Sequence, residues 1–208
     1  MLLFGHLGIT AGIVKACDIL VSVGKPDSCE SDCHSGFGIV IGKRRRRLYS
    51  VLNGIKDRIG SLDYRIVLLG SLLPDIIDKP LWLFAARDIF PSGRGYAHTL
   101  LFNIVLLICG LVLIRYRKPW LLIISLCSFM HLVLDQIWNN LVILFWPLLG
   151  PLPMGETEGW VLSLFQALFL HLEVYIPELV GLVIVILLAY RVVKTKSIIS
   201  FIRGGAID

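Results

Sequence analysis

Apolar residues along this chain gather into five long runs separated by short polar or basic stretches. The runs extend from Leu2 to Val23, Tyr64 to Ala86, Ala97 to Ile114, Trp120 to about Phe145, and Trp160 to Tyr190. A helix needs about 20 apolar residues to cross the hydrocarbon of a bilayer. The runs therefore predict an all-α, polytopic membrane helical bundle of about five spans. LLPDIIDKP interrupts the second run, while AHTLLFNIVLLICGLVLI makes the third the cleanest. The last is too long for one simple span, and Pro177 is expected to divide it, because proline suits a first helical turn and breaks an interior. No short-period repeat or low-complexity tract is visible. The pattern predicts a single membrane domain over residues 1–208, with residues 24–63 as a basic cytoplasmic insertion.

Composition agrees with the pattern. Of 208 residues, 56% are hydrophobic and only 17% charged, with a mean hydropathy of +0.80. A soluble domain carries about 25% charged residues. The start, MLLFGHLGIT, lacks a basic leader, and Lys15 and Asp18 interrupt the run where a cleavage site would stand, so residues 1–23 are expected to be a retained segment. Cys17, Cys109 and Cys127 lie in apolar segments and read as small hydrophobes. Cys29, Cys33 and His34 form a C-x3-C-H cluster with no partner pair, which reads as a solvated loop rather than a metal site.

Charge sets the threading. Residues 24–63 hold Lys25, Lys43, Arg44 to Arg47, Lys56 and Arg58; the turn after the third run holds Arg115, Arg117 and Lys118; the tail holds Arg191, Lys194, Lys196 and Arg203. The opposite loops hold Arg87 and Arg94 with acidic Glu156 and Glu158. Because positive residues accumulate on the cytoplasmic side, the amino terminus is expected outside an inner membrane and the carboxyl terminus inside. The Arg44–Arg47 run then reads as contact with anionic head groups of the lipid bilayer, and no nucleic acid partner is expected.

The candidate chemistry lies in ionisable residues within apolar runs. A carboxylate at the middle of a membrane helix costs about 2.5–3.5 kcal/mol on insertion scales. Even so, Asp75 and Asp78 lie in the second run, His131 and Asp135 in the fourth, His98 at the start of the third and His6 in the first. His171, Glu173 and Glu178 lie near the last. His131 and Asp135, four apart, share a helical face about 6 Å apart along the axis. Asp75 and Asp78 share one if Pro74 starts a helical turn. Imidazole nitrogen and carboxylate oxygen suit zinc, manganese or iron, and a divalent ion would make burial of these groups tolerable. Two metals sharing a carboxylate can activate a water and clamp a phosphate. In the threading above, His6, Asp75, Asp78, His98, Asp135 and Glu178 fall toward the outer leaflet from five segments, as a site would require. Bland readings stand beside this one: Glu178 complements a helix N-terminus, His171 caps a half-helix, Lys15 pairs with Asp18, and Asn139 and Asn140 bond between helices. Tryptophans 82, 138, 146 and 160 read as interfacial anchors.

Taken together, GSLLPDIID (Gly70 to Asp78), RGYAHT (Arg94 to Thr99), HLVLD (His131 to Asp135) and the early Gly5-His6 resemble the inner-membrane metal-dependent hydrolase family of the YdjM type. That family is similar, more distantly, to zinc-dependent phospholipases C and single-strand nucleases, which are all-α enzymes with His and Asp metal ligands. The resemblance implies ligand roles for His6, Asp75, His98, His131 and Asp135, with Asp78 and Glu178 as further candidates. The sequence departs from the pattern in two places. Lys79-Pro80 follows Asp78 where a histidine is expected, and His171 has Tyr175, not glutamate, four residues on.

The expectation is a membrane-embedded metal-dependent hydrolase of a phosphoester in a lipid or lipid-linked substrate, with one to two divalent ions, zinc or else manganese. Asp135 or Asp78 would act as general base, and Arg94 would contact a phosphate oxygen. Two other classes compete: an ion-coupled transporter, since intramembrane Asp and His also mark ion paths, and a non-catalytic scaffold acting through residues 24–63.

Overall fold

The computed structural model describes residues 2–23, 62–85, 93–153, 165–166 and 168–205. Most of the basic insertion, with Cys29, Cys33, His34 and Arg44 to Arg47, lies outside the described residues, as do Arg87, Glu156, Glu158 and Trp160. The described residues are helical, with no strand among them. The main helices are α1 (Leu3–Val23), α2 (Tyr64–Pro80), α3 (Leu100–Leu113), α4 (Trp120–Leu134), α5 (Leu141–Leu144), α6 (Leu172–Lys194) and α7 (Ile198–Gly204). Helix α2 sits centrally against α1 and α4, α3 packs on the far side of α4, and α6 lies along α1.

Local sequence explains most boundaries. The Asp63 carboxylate caps α2 by accepting from the Arg65 amide at 2.9 Å. Thr99 caps α3 through the Phe102 amide at 3.1 Å. Arg117 and Gln136, both left-handed, end the helical stretches before them. The fourth apolar run is thus not one helix to Phe145: α4 stops at Leu134, and a tight turn leads to α5. Nor does Pro177 divide the last run. The chain is extended at His171, and α6 continues through Pro177 from Leu172. Proline in the second turn removes the N–H that would have met the Glu173 carbonyl, near an end where such loss matters least. The second run likewise stays helical through Pro74, which shares α2 with Asp75 and Asp78.

Among the described residues, one helix, Leu172–Lys194, is long and apolar enough to cross a membrane by length and composition; Leu100–Tyr116 and Trp120–Leu134 are shorter apolar helices. Apolar side chains face outward along the helices, including Leu101, Ile108, Phe129, Val183 and Leu187. The largest fully buried side chains are His6, His98 and His131. A polar interior inside an apolar exterior is the arrangement a bilayer favours, because lipid gives no hydrophobic drive between helices. Among the described residues, buried apolar side chains form small clusters, such as Val67 with Ile123 and Cys127, and Leu132 with Ile137 and Ile143.

Close helix approach brings the polar side chains together. At Gly8 of α1 an added Cβ would overlap the Gly181 carbonyl of α6, and one at Gly181 would overlap the Phe4 carbonyl. Backbone therefore lies on backbone where these helices cross. At the other end of the bundle, α7 docks on the start of α2. Tyr64 donates its amide to the Gly205 carbonyl at 3.0 Å, and Arg65 Nη1 donates to the Ile202 carbonyl at 2.6 Å.

Candidate metal centre

Four helices deliver the buried polar residues to one place. His6 lies in the first turns of α1, Asp75 just past the α2 proline, His131 in the last turn of α4 and Asp135 at its C-cap. His98 ends the short 3-10 turn Tyr96–His98 that leads into α3. Their atoms converge. His98 Nε2 lies 3.3 Å from His131 Nε2, and Asp75 Oδ1 lies 3.7 and 3.9 Å from those two nitrogens. Asp135 Oδ1 is 3.2 Å from His6 Nε2, and its Oδ2 is 4.0 Å from His98 Nε2. The His6 ring stacks on the His131 ring at 3.8 Å between centroids.

Hydrogen bonds fix which nitrogen of each ring faces inward. His131 Nδ1 lies 2.7 Å from the Ser71 carbonyl oxygen, which can only accept, so Nδ1 carries the hydrogen and Nε2 a lone pair. His98 Nδ1 lies 2.7 Å from Asp78 Oδ2. The Asp78 oxygens also accept the amides of Gly95 at 2.8 Å, Ala97 at 3.1 Å and His98 at 3.2 Å, so here too Nδ1 donates outward and Nε2 is the atom turned to the cluster. The two Nε2 atoms then face each other at 3.3 Å, with both rings fully buried. A tetrahedral zinc with Zn–N bonds of ~2.05 Å holds two nitrogens about 3.3 Å apart.

His6 adds a second sign of a missing partner. Its ring is 1% exposed, and neither nitrogen has a hydrogen bond in good geometry, although Nε2 lies close to Asp135. Buried polar groups are almost always satisfied. Asp135 stands at the C-cap of α4, where its carboxylate opposes the helix dipole, and it meets His6 on one oxygen and Arg94 on the other. The groups His6–Asp75–His131 and His98–His131–Asp135 could each hold a metal ion, with all ligand atoms within 4.8 Å of one another. The donor set fits a divalent ion of the zinc or manganese class.

Two expected ligands have other work. Asp78 is 3% exposed and engaged by three amides and His98, which makes it the carboxylate that orients a ligand histidine rather than a ligand itself. Glu178 accepts from the amides of Leu2 at 3.1 Å, Phe4 at 2.6 Å and Gly5 at 3.0 Å. It complements a helix N-terminus, but that of α1 rather than its own, and so fixes the turn that carries His6. Arg94 Nε lies 2.7 Å from Asp135 Oδ2, and Lys79, at the position where a histidine was expected, lies 2.7 Å from Asp75 Oδ2. Asn139 bonds locally to Gln136 rather than between helices, and Lys15 lies over the Tyr64 ring at 5.8 Å. His171 precedes α6 without a side-chain capping bond.

Asn103 and Ser128 were not singled out in the sequence. Asn103 Nδ2 donates to the carbonyls of Ala97 at 3.2 Å and Thr99 at 2.9 Å, and Ser128 Oγ donates to Asn103 Oδ1 at 2.7 Å. Together they clamp the turn that carries His98 to α4. The signal was one amide side chain in an otherwise apolar run.

A model of the YdjM inner membrane protein family matches residues 1–198. The chain belongs to that family. Comparison with curated proteins and with solved structures returned no match. The more distant likeness of this YdjM-family protein to phospholipases C and nucleases stays an expectation drawn from its motifs. What the YdjM match and the geometry share is a membrane protein whose buried His and Asp groups could hold a metal ion.

Proposed function

We propose that this chain is a metal-dependent hydrolase of the inner membrane, acting on a phosphoester in a lipid or lipid-linked substrate. The observation that carries the reading is the pair of imidazole Nε2 atoms held 3.3 Å apart by the acceptors that engage their Nδ1 atoms. His6, Asp75, His98, His131 and Asp135 would hold the ion. When bound, a divalent ion supplies a Lewis acid and lowers the pKa of a water beside it.

The remaining roles fall to the protein. Asp78 and the Ser71 carbonyl keep two rings in one tautomer and orientation. Asp135, with one oxygen toward His6 and the other toward Arg94, takes the proton from the attacking water. Asp78 is not suited to that task, since four donors already surround it. Arg94 is half-exposed and orients a phosphate oxygen.

Threading follows the sequence: about five crossings, amino terminus outside, carboxyl terminus cytoplasmic, site toward the outer leaflet. The outward-facing apolar side chains support a lipid surround, and the basic tail of α6, with Arg191 and Lys194, supports its cytoplasmic end. A site opening within a leaflet favours lipid-borne phosphate as substrate.

The test is elemental analysis of gently purified full-length protein, paired with phosphate release from phosphatidic acid and a soluble phosphomonoester. Bound zinc or manganese, with both metal and activity lost in His131→Ala and Asp75→Asn, is expected. Protein that neither retains nor takes up a divalent ion would end this reading.

A further inference from the structure

The two triads that could hold an ion share His131. Its Nδ1 is engaged by the Ser71 carbonyl, so one nitrogen remains, and one nitrogen serves one ion. Bridging two ions takes both oxygens of one carboxylate, and in each carboxylate here one oxygen already holds a cation of the protein. Asp75 turns Oδ1 to the histidines and Oδ2 to Lys79 Nζ at 2.7 Å. Asp135 turns Oδ1 to His6, and its Oδ2, 4.0 Å from His98 Nε2, also holds Arg94 Nε at 2.7 Å. Each carboxylate thus shares one oxygen with a cation at the edge of the cluster.

The stem of Lys79 lies near the segment that carries Arg94. A Cβ added at Gly93 would meet Lys79 Cγ at 3.8 Å, which puts the Lys79 stem beside the residue preceding Arg94. Their side chains are 55% and 45% exposed, whereas the carboxylates beneath them are 13% and 4% exposed. Ion pairs this exposed contribute little to stability. Cations over buried carboxylates at the edge of a metal cluster are placed instead to receive an anion. The ammonium has three donors, and the guanidinium presents a planar fork suited to phosphate oxygens.

We propose that this centre takes a single divalent ion, with Lys79 and Arg94 standing where a second would be, and that these two side chains bind the phosphate group of the substrate. The proposal rests on the hydrolase reading above and assigns Lys79 a substrate-binding role. The same chemistry serves a lipid head group and free phosphate, so both are tested.

Full-length protein in maltoside micelles is loaded with zinc and its metal content measured. Calorimetry then follows binding of inorganic phosphate and of dihexanoyl phosphatidic acid to wild type, Lys79→Ala, Lys79→Arg and Arg94→Ala. One ion per chain is expected throughout, with phosphate affinity weaker by about tenfold or more in each alanine variant and largely restored in Lys79→Arg. Tighter binding of the lipid, with the same Lys79 dependence, assigns the group to a head group; equal binding assigns it to free phosphate. Two ions per chain, or phosphate affinity unmoved by Lys79→Ala, would overturn the proposal while leaving the hydrolase reading intact. Failure to load any ion removes that reading and this proposal with it.

Discussion

His98 and His131 present their Nε2 atoms to each other at 3.3 Å, and the Nδ1 atom of each already donates, one to Asp78 and the other to the Ser71 carbonyl. Two imidazole nitrogens at this spacing, with Asp75 and Asp135 beside them, make a ready set of ligands for a cation. A divalent ion should therefore stabilise the protein. A free ion at one hundred times its Kd stabilises by about 2.7 kcal/mol if only the folded state binds it. We expect the melting temperature in micelles to rise with zinc, fall with chelator and become insensitive to both in His131→Ala. Identical melting of wild type with and without metal would contradict the geometry.

Asp78 distinguishes a ligand from the group that orients a ligand. Asp78→Asn keeps the volume but brings an NH2 group among four N–H donors, where only acceptors are useful. Loss of such an outer partner weakens metal affinity by roughly 10–100-fold. Competition with a chelator of known affinity reads this directly. Complete loss of metal would mark Asp78 as a ligand, and no change would make its bond to His98 incidental.

How far the site was legible in the sequence depends on what each residue does. His131 and Asp135 announce themselves by helical spacing, and Asp75 by its cost within an apolar run. Charge-based threading leads to the expectation that His6 and His98 lie on the same side of the bilayer as these residues; that their side chains meet is read from the structure. Asp78 and Glu178 were legible as buried carboxylates but not in their partners, because their oxygens bond to backbone amides of other segments, and amides carry no sequence signal. Asn103 and Ser128 act through carbonyls for the same reason. Helix breaks were misplaced where a left-handed Gln136 ended α4 without glycine or proline, and where Pro177 was accommodated near a helix start.

Glu178 ties α6 to the first turn of α1. Glu178→Ala leaves the amides of Leu2, Phe4 and Gly5 without their acceptor. Buried donors left unsatisfied cost about 1–3 kcal/mol each, so we expect a fall in stability of about 2 kcal/mol or more. Glu178→Gln keeps an acceptor oxygen but loses the charge that faces the helix N-terminus, and should fall between. Thermal unfolding of the zinc-loaded protein separates the three. Weaker zinc binding should accompany the alanine variant, since His6 follows directly on Gly5.

Gly8 and Gly12 offer a comparison within one helix. Glycine to alanine in a helix interior ordinarily gains about 1 kcal/mol. At Gly8 the new methyl would overlap the Gly181 carbonyl, which is backbone and cannot turn aside. At Gly12 it would meet only the Ile184 side chain at 3.3 Å, which can shift. Gly8→Ala should therefore destabilise the pairing of α1 with α6, with a measurable drop in melting temperature, and Gly12→Ala should be close to neutral. Equal effects would mean the two helices do not cross at Gly8.

The joint between α7 and α2 should respond to acid. Asp63 caps α2 and pairs with Arg65 at 2.6 Å, and Arg65 in turn holds the Ile202 carbonyl of α7. The side-chain bond from Arg65 keeps the Asp63 carboxyl below its ordinary range, against a smaller opposing effect of burial. A group whose folded pKa is lowered contributes stability that is complete above its unfolded pKa and is lost as pH falls through the folded value. The docking of α7 should thus be constant at neutral pH and loosen only below the usual carboxylate range. Hydrogen exchange of the Phe201 and Gly205 amides, followed from neutral pH downward, reads the change. Asp63→Asn should abolish the acid step by leaving the joint loose at every pH, whereas a step retained in that variant would place the titrating group elsewhere.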